Sequence, residues 1–362
     1  MPAVLEEVPI NDSPLVLGVP GHYYSFFGGP LFLGIHDDKL REHYEKIKIP
    51  LNILRDDEKR RNLAELLSSL NPKPGLFSGE SDLEELFPLI LEQKHLYQIW
   101  KQKVNGKERS FYVPQKAFKT LLTNYVLPFV KAVPAHPSCH GGEKGWTVKK
   151  SLESHLPVVS SLTFDMSAAY HQATMNYVFE FFYDSLEGRC KTEEQRRDAA
   201  VFLSAVCTIR KDYDERREEC FEASLPEGSA VSSAVFNRML LPIDEEFSRF
   251  AEKKGIKYSR WIDDFVFTSP KKRKFNHFEY VMRKAQESFT LAPRKVFFTY
   301  EGVSYLLGHK IAYNEIEKIS REEFEKQRGE PYTGGMLSDT HPWDCMYEGY
   351  EEPTCDGNDI PF

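Results

Sequence analysis

Long apolar runs are missing from this 362-residue chain: none approaches the roughly 20 residues that a helix needs to cross a bilayer. The opening residues, Met1-Pro2-Ala3-Val4-Leu5-Glu6-Glu7, carry acid where an export leader would carry base, so a cytoplasmic protein without a membrane partner is expected. Paired cysteines are missing as well. The six, at 139, 190, 207, 220, 345 and 355, show no Cys-x-x-Cys spacing, which argues against a disulfide framework or a standard zinc site. His136, Cys139 and His140 come nearest to a metal cluster, but they sit in a Pro-rich loop without a fourth ligand. Beyond Arg328 there is no Lys or Arg at all. That stretch instead holds Glu330, Asp339, Asp344, Glu348, Glu351, Glu352, Asp356 and Asp359, with Trp343, Tyr347, Tyr350 and Phe362 among them, a pattern open to two readings, a docking peptide or a solvated tail.

The formal net charge of -8 weighs against a chain coated in base for phosphate binding, but the charge is segregated. From Lys94 to Lys150 there are eleven Lys and Arg against two acids, Glu108 and Glu143. With 41% hydrophobic residues the chain is long and apolar enough for a real core in two or three packed subdomains.

The chemistry concentrates in Tyr258-Ser259-Arg260-Trp261-Ile262-Asp263-Asp264-Phe265-Val266-Phe267, where two adjacent carboxylates interrupt apolar β-formers. A strand-turn-strand hairpin puts both acids at its tip, where hard divalent cations are held by oxygen. An ordinary Asp-Asp turn is the bland alternative. A third carboxylate, Asp165, ends the apolar run Val158-Val159-Ser160-Ser161-Leu162-Thr163-Phe164. Three acids at strand ends fit a two-metal site of the kind that transfers nucleotides to a 3′-hydroxyl.

Around these acids the periodicities predict an ordered series of elements. Residues 37–70 read as helical, with Leu51, Leu54, Leu63, Leu66, Leu67 and Leu70 on a broken apolar stripe. A second helix from Ser81 to Lys94 is expected to be capped by Ser81 or Asp82. Asn105-Gly106 predicts a tight hairpin turn, followed by a helix over 115–132. Helices are expected over about 168–186 and 192–208, and another presents Val235, Met239, Leu240, Ile243 and Phe247 inward.

The motifs resemble, in order, those of the reverse transcriptases, over about residues 97–315. Phe164-Asp165-Met166-Ser167-Ala168-Ala169-Tyr170 is similar to motif A, Leu225-Pro226-Glu227-Gly228 to the LPQG-type motif B, and Trp261-Ile262-Asp263-Asp264 to the YxDD motif C. Leu291-Ala292-Pro293-Arg294-Lys295 resembles motif D, and Tyr305-Leu306-Leu307-Gly308-His309-Lys310 the primer grip, motif E. Lys103 to Pro114 resembles the basic fingers hairpin of retron-like and defence-associated bacterial enzymes. Two departures stand out: Trp261 in place of Tyr, and Glu227 in place of Gln.

The resemblance implies an α+β right-hand polymerase with a split βαβ palm and a thumb that is reduced or absent. On that plan 1–95 form an N-terminal helical extension, 96–160 the fingers, 161–315 the palm (with 171–222 shared between fingers and palm helices), and 316–362 a short acidic tail. It implies two Mg²⁺ ions, replaceable by Mn²⁺, on Asp165, Asp263, Asp264 and the Met166 carbonyl. Lys103 and Arg109 would grip phosphates, Tyr170 would exclude a 2′-hydroxyl, and Glu227 and Gly228 would border the nucleotide and template. Lys295 would protonate leaving pyrophosphate. The implied activity is RNA-directed DNA synthesis from dNTPs, a nucleotidyltransferase reaction, on a structured noncoding RNA in antiphage defence. A bound structured RNA, a second protein subunit or self-assembly would replace the thumb. Two alternatives stay open: template-independent or protein-primed synthesis by the same site, and an inactive RNA-binding scaffold.

Overall fold

The computed structural model describes residues 5–8, 15–16, 48–49, 54, 56–70, 80–92, 97–104, 107–114, 116–209 and 223–328. The strands are β1 Leu5–Val8, β2 Leu15–Val16, β3 Lys48–Ile49, β4 Tyr97–Val104, β5 Lys107–Pro114, β6 Ser160–Asp165, β7 Lys257–Trp261, β8 Asp264–Ser269, β9 Phe297–Thr299, β10 Ser304–Leu306, β11 His309–Ala312 and β12 Glu315–Lys318. The helices are α1 Asp57–Leu70, α2 Glu80–Glu92, α3 Lys116–Leu121, α4 Leu127–Ala132, α5 Val148–Glu153, α6 Ala169–Gln172, α7 Met175–Ser185, α8 Glu193–Cys207, α9 Ala230–Met239, α10 Leu241–Lys254, α11 Glu279–Ser288 and α12 Arg321–Gln327. The chain is α+β, with helices packed on antiparallel sheets.

The central sheet runs β7-β8-β6-β9, and strand alternation gives it two unlike faces. One face carries Phe164, Phe265 and Phe267, stacked with centroids at 4.9 and 5.8 Å from Phe164, and Phe247 of α10 meets all three rings edge-on. Truncating one such fully buried ring would cost about 3–5 kcal/mol. The other face is mixed: Thr163, Asp165, Asp264 and Thr268 alternate with those phenylalanines, and Val266 there joins a small apolar cluster with Leu152, Val158, Leu306 and Ile311. The acids are therefore held on a rigid sheet whose opposite side is an aromatic core.

β4 and β5 form the expected hairpin, with Val104 paired to Lys107; residues 105 and 106 themselves lie outside the described residues. β1 adds to β4 in antiparallel register, Leu5 opposite Trp100, so part of the N-terminal stretch is strand rather than helix. In α1, Leu63, Leu66, Leu67 and Leu70 are buried as the stripe predicts, but within the predicted helix Lys48–Ile49 is a strand paired with β2, and most of the rest of 37–56 lies outside the described residues. α2 begins at Glu80, which places Ser81 and Asp82 inside its first turn rather than at the cap. The helix predicted over 115–132 forms as α3 and α4 joined by a π-helical turn, Leu122–Val126. After β12 the described chain continues only through α12 to Arg328; the aromatic and acidic residues of 329–362 lie outside the described residues. Among the described residues no helix is long and apolar enough to cross a membrane.

Candidate active site

Register builds the site. Antiparallel pairing of β6 with β8 sets Asp165 directly opposite Asp264, and pairing of β7 with β8 closes the hairpin at Trp261 and Asp264. Asp263 sits in the turn, its carbonyl accepting from the Met166 amide at 3.3 Å. The turn needs Ile262 at φ +59°, a left-handed conformation that a β-branched residue adopts at a cost of about 1–3 kcal/mol.

What holds that strain is a brace behind the turn. Arg260, fully buried, donates through Nη1 to the Ile262 carbonyl at 2.6 Å and to Asn237 Oδ1 at 3.1 Å. Its Nε and Nη2 reach Asp244 at 2.8 and 2.6 Å, and the Tyr258 hydroxyl donates to the same carboxylate at 2.5 Å. A loop from Ser138 to Gly141 lies along β7: the Arg260 amide donates to the Ser138 carbonyl, and the His140 amide to the Arg260 carbonyl, both at 2.8 Å. A Cβ at Gly141 would stand 2.5 Å from the Ile262 nitrogen, so only glycine lets the loop touch the turn. His136, Cys139 and His140, the nearest approach to a zinc cluster, belong to this brace. His140 bonds Ser151 at 2.8 Å and stacks on Trp146.

The front of the turn is charged and under-neutralised. Asp165 is 3% exposed; its Oδ1 is buried without a hydrogen-bond partner, while Oδ2 accepts from the Lys295 ammonium. Burial, then the charges of Asp263 and Asp264, push the Asp165 carboxyl up to about 8 despite Lys295. Burial and Asp263 likewise raise Asp264 to about 6. At Lys295 burial opposes the charge, but the bond to Asp165 and the fields of the three carboxylates outweigh it and raise its pKa. Among the described residues no three acid, His or Cys side chains converge as a preformed metal cage. Buried carboxylates repelling one another, with one oxygen unanswered, nevertheless suit a hard divalent cation bound by oxygen.

Motifs A and D are sewn together beside these acids. The Ala292 amide donates to the Asp165 carbonyl at 2.8 Å, and the Ser167 amide to the Thr290 carbonyl at 2.9 Å. Gln172 spans the seam, giving its amide to the Ser167 and Thr290 carbonyls and accepting the Thr290 amide at 2.9 Å. Tyr170 is half-buried, edge-on to Phe236 at 5.4 Å, its hydroxyl paired with Ser233 at 2.7 Å. Burial, offset in part by Ser233, and then the Asp263 and Glu227 charges raise its phenol.

The fingers hairpin docks on motif B. The Tyr112 amide donates to the Glu227 carbonyl at 2.7 Å, and Gly228 takes φ +100°, a conformation that strains any residue with a Cβ, which would also press on the Tyr112 carbonyl oxygen at 3.2 Å. The backbone close to Gly228 is thus the chain's own β5. Arg109 Nη1 lies 3.9 Å from Glu227 Oε2 across this contact. The Lys103 side chain lies outside the described residues; its backbone pairs with Glu108.

Sequence reasoning missed Arg260 and its partners Asp244 and Asn237, the brace glycine Gly141, the seam residue Gln172, and Arg328. Arg328 follows α12 and donates from Nη2 to Thr163 Oγ1 at 2.9 Å on the acids' own face.

A four-stranded palm sheet with paired acids at a hairpin tip, a third acid on the neighbouring strand and a docked β-hairpin has the order of a right-hand polymerase. The family model of reverse transcriptases, RNA-dependent DNA polymerases, matches residues 99–311, more than half of the chain, and the chain belongs to that family. Similar curated proteins include the retron Ec86 reverse transcriptase of Escherichia coli, 22% identical over 195 residues covering 53% of this chain and 55% of that one. The retron Mx162 reverse transcriptase of Myxococcus xanthus is 21% identical over 172 residues, 46% of this chain and 34% of that one. The chain therefore spans about half or less of the length of these relatives. Similar solved structures include apo telomerase from Candida tropicalis truncated from its C-terminal domain, at TM-score 0.41 and 12% identity, covering 61% of this chain and 54% of that one. Telomerase from Candida tropicalis with a TWJ fragment of telomeric RNA has TM-score 0.44 and 12% identity, covering 62% of this chain and 44% of that one.

Proposed function

We propose that the chain is an RNA-directed DNA polymerase that adds dNTPs to a 3′-hydroxyl, working with a structured noncoding RNA in bacterial antiphage defence. The observation that supports it most is Asp165, buried opposite Asp264, with Lys295 at one oxygen and no hydrogen-bond partner for the other among the described residues. Two Mg²⁺ ions, or Mn²⁺ in their place, held by Asp165, Asp263, Asp264 and the Met166 carbonyl, would activate the 3′-hydroxyl and stabilise the leaving pyrophosphate.

The chain's own residues do the rest. The sheet fixes Asp165 and Asp264 in register, and the Arg260 brace presents Asp263 by holding Ile262 in its strained turn. Lys295 holds a proton at Nζ beside Asp165, where it can be given to pyrophosphate. Arg109 offers a planar fork to triphosphate oxygens, with Lys103 as a second cation on the hairpin. The Tyr170 ring, held by Ser233 and Phe236, would disfavour a ribose 2′-hydroxyl. Gly228 keeps the hairpin and Glu227 close to the nucleotide.

The test is to purify the chain with co-expressed nucleic acid, supply Mg²⁺ and labelled dNTPs or rNTPs, and sequence the product beside an Asp263→Ala, Asp264→Ala control. DNA complementary to a bound RNA, absent from the control, is expected. A repetitive product matching no RNA would instead support untemplated or protein-primed synthesis, and no product would support a scaffold. Loss of phage resistance in the same double variant tests the biological role.

A further inference from the structure

Arg328 stands where the reaction gives it no task. Its Nη2 donates to Thr163 Oγ1 at 2.9 Å, and its guanidinium lies 3.7 Å from the centroid of Phe297 and 5.1 Å from that of Phe324. Two aromatic faces and a hydroxyl thus fix the plane of the cation. Thr163 lies two residues before Asp165 on β6, so both project from the same face. The β6–β8 register sets Thr163 against Val266 and Asp165 against Asp264, making one patch of four side chains. Arg328, Thr163, Val266 and Asp264 line one cavity of about 170 Å³, together with Leu307, Gly308 and Phe324. Arg328 Nε is buried there with no hydrogen-bond partner among the described residues. A guanidinium has five donors, and only Nη2 has an assigned acceptor here. The carboxylate sharing the cavity is Asp264.

We propose that Arg328 is a positioning residue for Asp264: the cation at the end of α12 fixes that carboxylate beside Asp165, so that assembly of the acidic site depends on docking of the C-terminal helix. The idea rests on the polymerase reading for what the acids do, but not for how they are held. Arg328 touches no substrate; it acts through Asp264. The cavity is large enough for water to complete the contact while the rings keep the guanidinium in place.

The experiment is a double-mutant cycle of Arg328→Met and Asp264→Asn on the full chain, with Arg328→Lys as the conservative variant. It has two readouts: Mn²⁺ binding followed by electron paramagnetic resonance, and the rate of single dNTP incorporation. Arg328→Met should lower the incorporation rate about 10-fold with the dNTP KM within about twofold, and weaken Mn²⁺ binding about fivefold, with partial recovery in Arg328→Lys. In the Asp264→Asn background the same change should cost less than about twofold, because the residue it acts through is gone. Equal losses in both backgrounds would overturn the proposal. So would tighter Mn²⁺ binding in Arg328→Met, the result expected of a cation that merely repels the metal. If Arg328→Met does not fold, Arg328→Lys against Asp264→Asn completes the cycle, read by Mn²⁺ binding. Should the wild-type chain bind Mn²⁺ but incorporate no nucleotide, the polymerase reading fails while the binding cycle still decides the role of Arg328.

Discussion

Two arginines flank the acidic hairpin and are held in opposite ways. Arg260, behind the turn, is fully buried, shares a carboxylate with Tyr258, and has acceptors at Nε and both terminal nitrogens. Arg328, in front of it, is only partly buried, stacks on rings, bonds one hydroxyl and leaves Nε without a partner. A charge whose donors are satisfied inside the fold builds scaffold; one with donors left over beside acids is free to orient them. Burial pulls Arg328 down to about 10 against the raising fields of Asp264 and Asp165, whereas at Arg260 the pull of Asp244 overcomes burial and raises the pKa.

The largest effect expected of any change that breaks this contrast is at Arg260. Arg260→Met leaves Asp244 charged and unpaired inside the fold, which should cost about 3–5 kcal/mol. It also frees Ile262 from its left-handed turn. Chemical denaturation should show the loss, and Arg260→Met with Asp244→Leu should recover a large part of it. A loss below about 1 kcal/mol in the single variant would show that the brace is not what holds the turn.

How much of this was readable in advance follows from distance along the chain. Asp165, Asp263 and Asp264 were legible because each interrupts a local β pattern, and alternation alone puts Asp264 on the face opposite Phe265. The stripe of α1 and the inward residues of α9 and α10 were legible for the same reason. Arg260 lay in plain view within the motif but could not be assigned, since its partner Asp244 is 16 residues away on a helix. The Gly141 carbonyl accepts from Asn237, 96 residues away, and Gln172 bonds Thr290, 118 residues away, contacts that no local period encodes. β1 pairing with β4 escaped notice because a four-residue strand carries almost no periodic signal. The His136–His140 loop misled in the other direction: its ligand-like residues belong to a backbone brace.

Next in size is the response to metal and pH, which sharpens the contrast at the acids themselves. Asp165 and Asp264, ordinarily near 3.8, are raised in the fold to about 8 and about 6. A carboxyl raised on folding favours the folded state while protonated, so that stability is fully present below about 3.8 and is lost as pH climbs through about 6 and about 8. The metal-free protein should therefore melt at lower temperature at pH 8 than at pH 6. Mg²⁺ should recover more of the melting temperature at pH 8 than at pH 6. Asp165→Asn should raise the metal-free melting temperature at pH 8 while abolishing incorporation. Equal Mg²⁺ effects at both pH values would mean that the acids do not carry the burden assigned to them.

The Lys295 contact is intermediate. Lys295→Ala removes the described cation that bonds the buried Asp165 oxygen, and Lys295→Arg keeps the charge but not a proton that can leave. Both should slow incorporation about 10–100-fold if the amine acts as a general acid, with the dNTP KM nearly unchanged. Full activity in Lys295→Arg would assign the residue to charge alone. Single-turnover rates in the two variants separate those outcomes.

The smallest effect belongs to the third arginine, Arg109, which is half exposed and 3.9 Å from Glu227. An ion pair in that setting is worth less than about 1 kcal/mol, so Glu227→Gln should leave the melting curve almost unmoved. It should act on the substrate instead. On the proposed reading, Arg109 is shared between the Glu227 carboxylate and a triphosphate. Neutralising Glu227 releases the fork, and the dNTP KM should fall about two- to fivefold with the turnover rate little changed. The gain should shrink as salt screens the pair. A KM that rises in Glu227→Gln would mean that the carboxylate orients Arg109 for the phosphates rather than competing with them, and would put this exposed pair beside Arg328 as a second positioning contact.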